Sequence, residues 1–441
     1  MAAPTRRAAP VTSTTGRLFG SSVIGLLRAR RYAVKSAATR RSEPAVNPTL
    51  PTPGDDELAL TAQLSALLRA EIAAQGPIAF SRFMERCLYA PALGYYSAGR
   101  TKFGAAGDFV TAPELGVLFA QCMADALTPC LRELGSEADF CELGGGSGAF
   151  AEVAMRALAE ANALPRRYRI LEPSADLRER QHERLRSALP AKLFARIEWL
   201  ERPPEQAWRG VVFANEVIDA LPATRFAIHD GEVFEEHVTV DAAGEFVRCD
   251  RPADALVAGA VRHVERDLGL RFAEGYRSEI LAQLPYWMQA VLGSLEAGIA
   301  LFVDYGYPRD EYYRAERDDG TLVCHYRHRA HADALFLPGL QDITAFVDFT
   351  GLAEAGNQAG FAVAGYATQA QFLIANGLAQ HFEQASADAD DIGRYRLAQE
   401  VKRLTLPGEM GEKFQAMVLA RNISPAALPD GLAVINQARR L

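Results

Sequence analysis

The sequence predicts an α/β fold: a Rossmann-like, mostly parallel sheet, preceded by a helical segment and interrupted by a hairpin-and-helix subdomain. Three observations lead there. Residues Glu142 to Gly148 read Glu-Leu-Gly-Gly-Gly-Ser-Gly, between the apolar pair Phe140-Cys141 and the helical run 149–161, as expected of a strand that turns sharply into a helix. The runs Arg167–Glu172, Val211–Ala214 and Ile299–Val303 each end in or beside an acidic residue, and open α/β sheets bind ligands outside the carboxyl ends of their strands. Stretches with apolar residues at helical spacing surround these runs, the alternation of a doubly wound sheet.

In chain order, residues 1–55 are expected to lie outside the fold. Positions 1–42 hold nine Arg or Lys and no acid, and the segment runs into Pro-Thr-Pro-Gly-Asp-Asp. That composition fits an organellar transit peptide and equally a disordered extension on a bacterial chain. Leu58–Ala74 carries apolar residues at 58, 60, 64, 67, 68 and 72 and predicts a helix ended by Gly76-Pro77. Phe80–Leu88 follows as a short helix, 93–111 as an aromatic, Gly-rich loop suited to cover a ligand, and Leu115–Leu134 as a long amphipathic helix. Residues 56–135 thus form an N-terminal helical segment packing on the core, and 136–421 the sheet domain, with an insertion at about 223–297 and a tail at 422–441. Within the insertion, 224–248 alternate apolar and polar residues with turns at Asp230-Gly231 and Ala243-Gly244, a hairpin or meander. Helices are expected at 253–268, 279–297 and 343–360, and a closing strand at Lys413–Ala420.

The glycine loop sets the ligand chemistry. Gly144, Gly146 and Gly148 remove the Cβ atoms that would keep a ligand from the backbone and permit positive φ. Glu142 at the strand end repels a nucleotide pyrophosphate and attracts the amino group of a zwitterion such as S-adenosylmethionine (SAM). A dinucleotide fingerprint, Gly-x-Gly-x-x-Gly, would have Ala149 in its third place, which it tolerates, so the loop alone leaves NAD open beside SAM. Glu172, 24 residues after Gly148, would hold the ribose hydroxyls of either. After the strand 211–214 come Asn215, Glu216 and Asp219, placed either to face the reacting group or to cap a following helix.

Composition narrows the class further. A length of 441 residues with 49 % hydrophobic and 23 % charged residues suits one large α/β domain with insertions, or two domains. No apolar run approaches the length of a membrane span. The six cysteines lack Cys-x-x-Cys pairs, and His325, His328 and His331 beside Cys324 lack a third-ligand pattern, so no metal site is expected. With nine cations in the leader and a net charge of −8, the remaining 399 residues carry −17. An acidic body favours cationic ligands and disfavours nucleic acid.

Taken together, several collinear stretches resemble the MidA-like class I SAM-dependent methyltransferases. They are Gly76-Pro-Ile with Gly94-Tyr-Tyr, Gly107-Asp-Phe-Val-Thr-Ala-Pro-Glu114, the Glu142 loop, Glu172-Pro-Ser with Gln181, Ala214-Asn-Glu-Val-Ile-Asp-Ala-Leu-Pro222, Asp304-Tyr-Gly306, Gly320-Thr-Leu with His328, Pro338 to Phe349, and Arg403-Leu with Met410-Gly-x-x-Phe414. The resemblance covers about residues 60–421. It departs in the loop, where many relatives have Pro-Gly-Arg or Pro-Gly-x instead of Gly145-Gly-Ser147. It implies a seven-stranded class I sheet, SAM as cofactor, and a protein arginine as acceptor. In mitochondrial members it also implies a role in respiratory complex I assembly, and a catalytically silent assembly module that holds SAM while gripping a partner stands as the alternative to an enzyme. Asp108, in a matching stretch, would bond the cofactor's amino group or cap a turn, and Glu142, Gly144, Gly146, Gly148, Glu172 and Asn215 are expected at the cofactor. Glu216 is expected as the guanidinium partner, with Asp219, three positions on and so on one side of a helical turn, positioning it or the substrate. His328, at a matching position, would be a substrate-loop hydrogen-bonding residue or a general base, and Asp304 would reach substrate or serve as a turn carboxylate. In a bacterial member the compartment would be the cytoplasm; it would be the mitochondrial matrix if residues 1–42 are a transit peptide. Oligomeric state is not legible.

Overall fold

A computed structural model describes residues 50–98 and 111–441. Seven strands form the main sheet: β1 (Asp139–Leu143), β2 (Tyr168–Leu171), β3 (Ile197–Leu200), β4 (Trp208–Asn215), β5 (Leu295–Tyr307), β6 (Ala362–Thr368) and β7 (Phe414–Arg421). Their spatial order is β3-β2-β1-β4-β5-β7-β6, and the two-residue strand Val347–Asp348 adds to the end of β5. β7 runs antiparallel to β5 and β6, whereas β3, β2, β1, β4 and β5 pair in parallel. The order reverses between β1 and β4. There the crossovers leave to opposite sides and a crevice opens at the carboxyl ends. This is the seven-stranded Rossmann-like sheet expected.

Alternation along the strands explains why the sheet is buried on both faces. Phe140, Val211, Phe213, Ile299, Leu301 and Val303 face the helices Leu118–Leu134 and Ala149–Glu160. Cys141, Val212, Ala214, Ala300 and Phe302 face the helices Leu284–Leu292 and Phe349–Gln358. Phe150 stacks on Phe213 with ring centroids 4.1 Å apart and pins the helix that leaves the glycine loop.

The insertion builds a second sheet. Thr224–His229, Glu232–Val240 and Phe246–Pro252 form the expected meander; Arg277–Ile280 extends it beside Thr224–His229, and Ile78–Ala79 pairs with His237 and Val238 of the middle strand. The helices Asp55–Gln75 and Phe80–Tyr89 pack against this second sheet, whereas Leu118–Leu134 packs on the main one. Three further strands, Val323–Tyr326, Arg329–His331 and Asp342–Thr344, form a small separate sheet. Residues 422–441 lie along β6, where Gln437 N–H donates to Tyr366 O at 2.6 Å and Leu432 is buried against Gly365.

Two expected helices are different. The stretch 279–297 divides into the strand Arg277–Ile280, the helix Leu284–Leu292 and the start of β5. Pro285 sets that helix start, since proline fits only the first turn. The stretch 343–360 is helical only over Phe349–Gln358, where the Asp348 side chain accepts the Gly351 N–H at 3.1 Å as an N-cap. Before it, Ile343 and Val347 have helical spacing but are taken by strand pairing with Cys324 and Gly306.

Arg225 anchors the second sheet. It is 2 % exposed and meets Glu236 at 3.3 Å, Glu279, and Asp319 at 2.5 Å. Glu236 also has Arg248 and Arg277 within 3.4 Å, but among the described residues Arg225 is the cation paired with buried Glu279. Removing one partner leaves the other charge buried and uncompensated. Arg225→Met is therefore expected to cost about 3–5 kcal/mol of stability in urea unfolding.

Candidate active site

The glycine loop begins where β1 ends. Gly144, Gly146 and Gly148 have φ of 70°, 52° and 83°, a region that side chains with a Cβ rarely occupy. Gly145 between them is demanding for another reason: a Cβ there would lie 2.6 Å from the Ile170 side chain and 3.0 Å from Gln181 Nε2. Gln181, fully buried on the helix Ala175–Ala188, ties the loop to the next strand end. Its Nε2 donates to Gly146 O at 2.9 Å and to Glu172 Oε2 at 3.3 Å, while its Oε1 accepts from Trp199 Nε1 at 2.9 Å. Glu172 also accepts the Ser174 N–H at 3.0 Å. Glu142, 3 % exposed, accepts the Tyr168 hydroxyl at 2.8 Å. Burial pushes its carboxyl up to about 8; the Tyr168 hydrogen bond opposes this rise and the Glu172 charge adds to it.

The acidic segment after β4 is a turn rather than the start of a helix, so the capping alternative does not apply. Asn215 pairs with Val303, and the Glu216 N–H donates to Val303 O at 2.9 Å. Glu216 then takes φ of 53°. It therefore does not share a helical face with Asp219, as a spacing of three had suggested. Glu216 Oε1 accepts from Asn215 Nδ2 at 3.0 Å and from the Ala112 N–H at 3.4 Å. Burial, then Asp219, push the Glu216 carboxyl up to about 8; burial pushes Asp219 to about 6 against a hydrogen bond from Tyr305. Asn215 Oδ1 and Asp219 Oδ1 are buried and accept no hydrogen bond among the described residues. Buried acceptors of that kind are usually satisfied, so these two fit a site that receives donors from a ligand.

The loop and the turn face each other across a cleft of about 880 Å³ at the switch point. Glu85, Glu114, Glu142, Glu172, Glu216, Asp219 and Asp342 all line it, with Lys413 at an exposed edge. The aromatic wall includes Tyr89 and Tyr96, stacked with centroids 5.6 Å apart. Tyr96 donates its hydroxyl to Asp342 Oδ1 at 3.0 Å, and Tyr89 to Ala220 O at 2.8 Å.

Of the residues expected from the sequence, Glu142, Gly144, Gly146, Glu172, Asn215, Glu216 and Asp219 line this cleft, as do Thr111 and Tyr96. Gly148 lies just behind, as the N-cap of the helix Ala149–Glu160. Asp108 lies outside the described residues. His328 is a correction: it sits with Arg327 at the exposed apex of a hairpin, at φ of 61°, and is not part of the lining. Strand alternation brings His325 and Val323 to the cleft instead. Asp304 lies beneath the acidic turn, whose N–H groups its side chain accepts, and is not part of the lining. Sequence reasoning missed Asp342, Tyr89 and the bridging role of Gln181. Asp342 stood just before a stretch read as a helix, and nothing local marks the long-range contacts of the other two.

Comparisons with known proteins agree with this geometry. The Methyltransf_28 family model, of S-adenosyl-L-methionine-dependent methyltransferases, matches residues 122–367, more than half of the chain. The crystal structure of a COG1565 superfamily member from Burkholderia thailandensis, bound to S-adenosyl-homocysteine, is 42 % identical, covers 89 % of this chain and 100 % of that one, and superposes with a TM-score of 0.82. The protein arginine methyltransferase NDUFAF7, mitochondrial, of Danio rerio is 27 % identical over 79 % of this chain and 84 % of its own length. The Drosophila melanogaster homologue is 27 % identical over 83 % and 86 %. These matches set aside the NAD-dependent alternative that the glycine loop left open. The chain belongs to the family of S-adenosyl-L-methionine-dependent methyltransferases.

Proposed function

We propose that this methyltransferase modifies an arginine of a protein, of the respiratory complex I subunit type, with Glu216 as the principal partner of the guanidinium. The observation that carries the reading is the acidic turn: Asp219 is buried and Glu216 half-buried in a cleft that Asp342 also lines, and Asp219 Oδ1 and Asn215 Oδ1 stand open as acceptors. A cationic, multidonor acceptor suits that set, whereas an anionic one would be repelled. The names of the relatives from Danio rerio and Drosophila melanogaster support arginine and a protein substrate. The compartment follows the acceptor. It is the matrix if residues 1–42 act as a transit peptide, as the mitochondrial relatives favour, and the cytoplasm in a bacterial cell.

The residues present fit the cofactor. The glycine loop leaves backbone room, Glu142 would take the amino group, Glu172 with Gln181 would take the ribose hydroxyls, and Asn215 would contribute its open oxygen. Bound SAM supplies an electrophilic methyl carbon whose bonding electrons leave with sulfur. The protein has to make a delocalised guanidinium nitrogen nucleophilic. Glu216 accepts its N–H and holds the positive charge on the other nitrogens, which frees the lone pair of the attacking one. Asp219 steadies the same group, and its open oxygen can receive the proton released once the new C–N bond has formed. Tyr89, Tyr96 and Phe346 wall the cleft and keep water from it.

Three outcomes test this. When the full chain is incubated with tritiated-methyl SAM and a protein extract, and the labelled protein is hydrolysed, label is expected in methylarginine. Label in methyl-lysine, or only in small molecules, would overturn the assignment. Glu216→Gln should lower transfer by about a hundredfold or more, with S-adenosylhomocysteine affinity by calorimetry changed by less than about threefold. Because burial raises the Glu216 carboxyl to about 8, its charged form is lost as pH falls below that value. The transfer rate at limiting acceptor should therefore drop by about tenfold per pH unit below that point, a limb that Glu216→Gln should lack. Separately, Gly145→Val, whose side chain would press on Ile170 and Gln181, should weaken S-adenosylhomocysteine binding by about tenfold or more.

A further inference from the structure

Asp304 ends the buried run of β5 directly beside the acidic turn and is 1 % exposed. Its Oδ2 accepts the N–H groups of Val217 at 3.2 Å, Ile218 at 3.0 Å and Asp219 at 3.3 Å. Its Oδ1 accepts the N–H of Tyr305 at 2.9 Å. Successive amides converging on one anion form a nest, and here the anion belongs to the protein itself. Among the described residues no cation pairs with it, so backbone dipoles compensate its charge. The residue just before the nest is Glu216, at φ of 53°. A long side chain in the left-handed region costs of order 1–3 kcal/mol and persists only where its surroundings impose it. The surroundings here are one strand end: Val303 O holds the Glu216 N–H, and the next residue, Asp304, holds the three N–H groups that follow.

We propose that Asp304 is a positioning residue for methyl transfer, its carboxylate gathering the turn 217–219 and so fixing Glu216 in the left-handed conformation that presents its side chain to the cleft. The inference rests on the reading of Glu216 as the guanidinium partner. It gives Asp304 a part in the reaction without contact with acceptor or cofactor. Around the turn stand Asp219 and Glu216 themselves, Tyr305 on β5, Asp342 on the small sheet, and Tyr89 and Tyr96 from the N-terminal segment. Burial, then Asp219 and Glu216, push the Asp304 carboxyl well above the usual carboxylate range, and the N–H groups of Asp219 and Ile218 oppose that rise.

The test uses the full chain with S-adenosylhomocysteine bound, as Asp304→Ala and Asp304→Asn. In Asp304→Ala the amides of Val217, Ile218 and Asp219 should exchange hydrogen at least about tenfold faster. Transfer to extract protein should fall by about a hundredfold, with S-adenosylhomocysteine affinity kept within about threefold. Asp304→Asn keeps an acceptor oxygen at the nest. It should preserve most of the amide protection and restore transfer to within about tenfold of the unsubstituted chain. Unchanged exchange in both variants, or transfer by Asp304→Asn as low as by Asp304→Ala while its amides stay protected, would overturn the proposal. So would a loss of S-adenosylhomocysteine affinity as large as the loss of transfer, the mark of a general structural defect. Wild-type transfer by Glu216→Gln would instead sink the reading of Glu216. That failure is told apart because it leaves the amide exchange of the Asp304 variants as expected.

Discussion

The carboxyl edge of the main sheet has to keep carboxylates buried without giving each one a counter-cation. Glu142, Asp219 and Asp304 are nearly or fully inaccessible and Glu216 is half-buried, and among the described residues none of them forms an ion pair with Arg or Lys. Elsewhere the protein does the reverse, holding Asp139 beside three arginines and Arg225 beside three acids. The contrast is local and deliberate in its chemistry. At the edge, a tyrosine hydroxyl, an asparagine amide and a set of backbone N–H groups offset the charge only in part. What remains at Glu142, Glu216, Asp219 and Asp304 is acidity without an Arg or Lys partner among the described residues.

That constraint explains why the surrounding elements are built as they are. The glycine loop must approach closely, so it carries no side chain at 144–146, and Gln181 reaches across from the next helix to lock it to Glu172. The acidic turn must leave β4 at a sharp angle, so it is held by the neighbouring strand β5 rather than by a helix of its own. The small sheet and the N-terminal helices supply the far wall of the cleft, through Asp342, His325, Tyr89 and Tyr96. These wall residues lie 120 or more positions from the turn on the N-terminal side and about as far on the other, so the chemistry depends on tertiary packing and not on one motif.

Much of this was legible in the sequence where the signal is local. The glycine loop, the acids at the ends of β2 and β4, and the meander after β4 follow from spacing and alternation that neighbouring residues impose. Where the deciding contact is distant, the sequence misleads. Residues 343–347 have helical spacing but are drawn into strands by Cys324 and Gly306. His328 stands in a matching stretch, yet the hairpin register turns it to solvent and gives the cleft His325. The conformation of Glu216 was also hidden, because glutamate gives no hint of positive φ. It is imposed by Asp304, 88 residues away.

The unpaired field of the cleft also bears on how a spent cofactor leaves. The sulfonium of SAM carries a positive charge, and the thioether that remains after transfer does not. A carboxylate-rich site attracts the first through its charge and has no such hold on the second. The proposed arginine acceptor would keep its charge when methylated, so the loss of charge falls on the cofactor side alone, and the surplus proton goes to solvent. The acids that favour the charged cofactor therefore have no such charge to act on in the spent one.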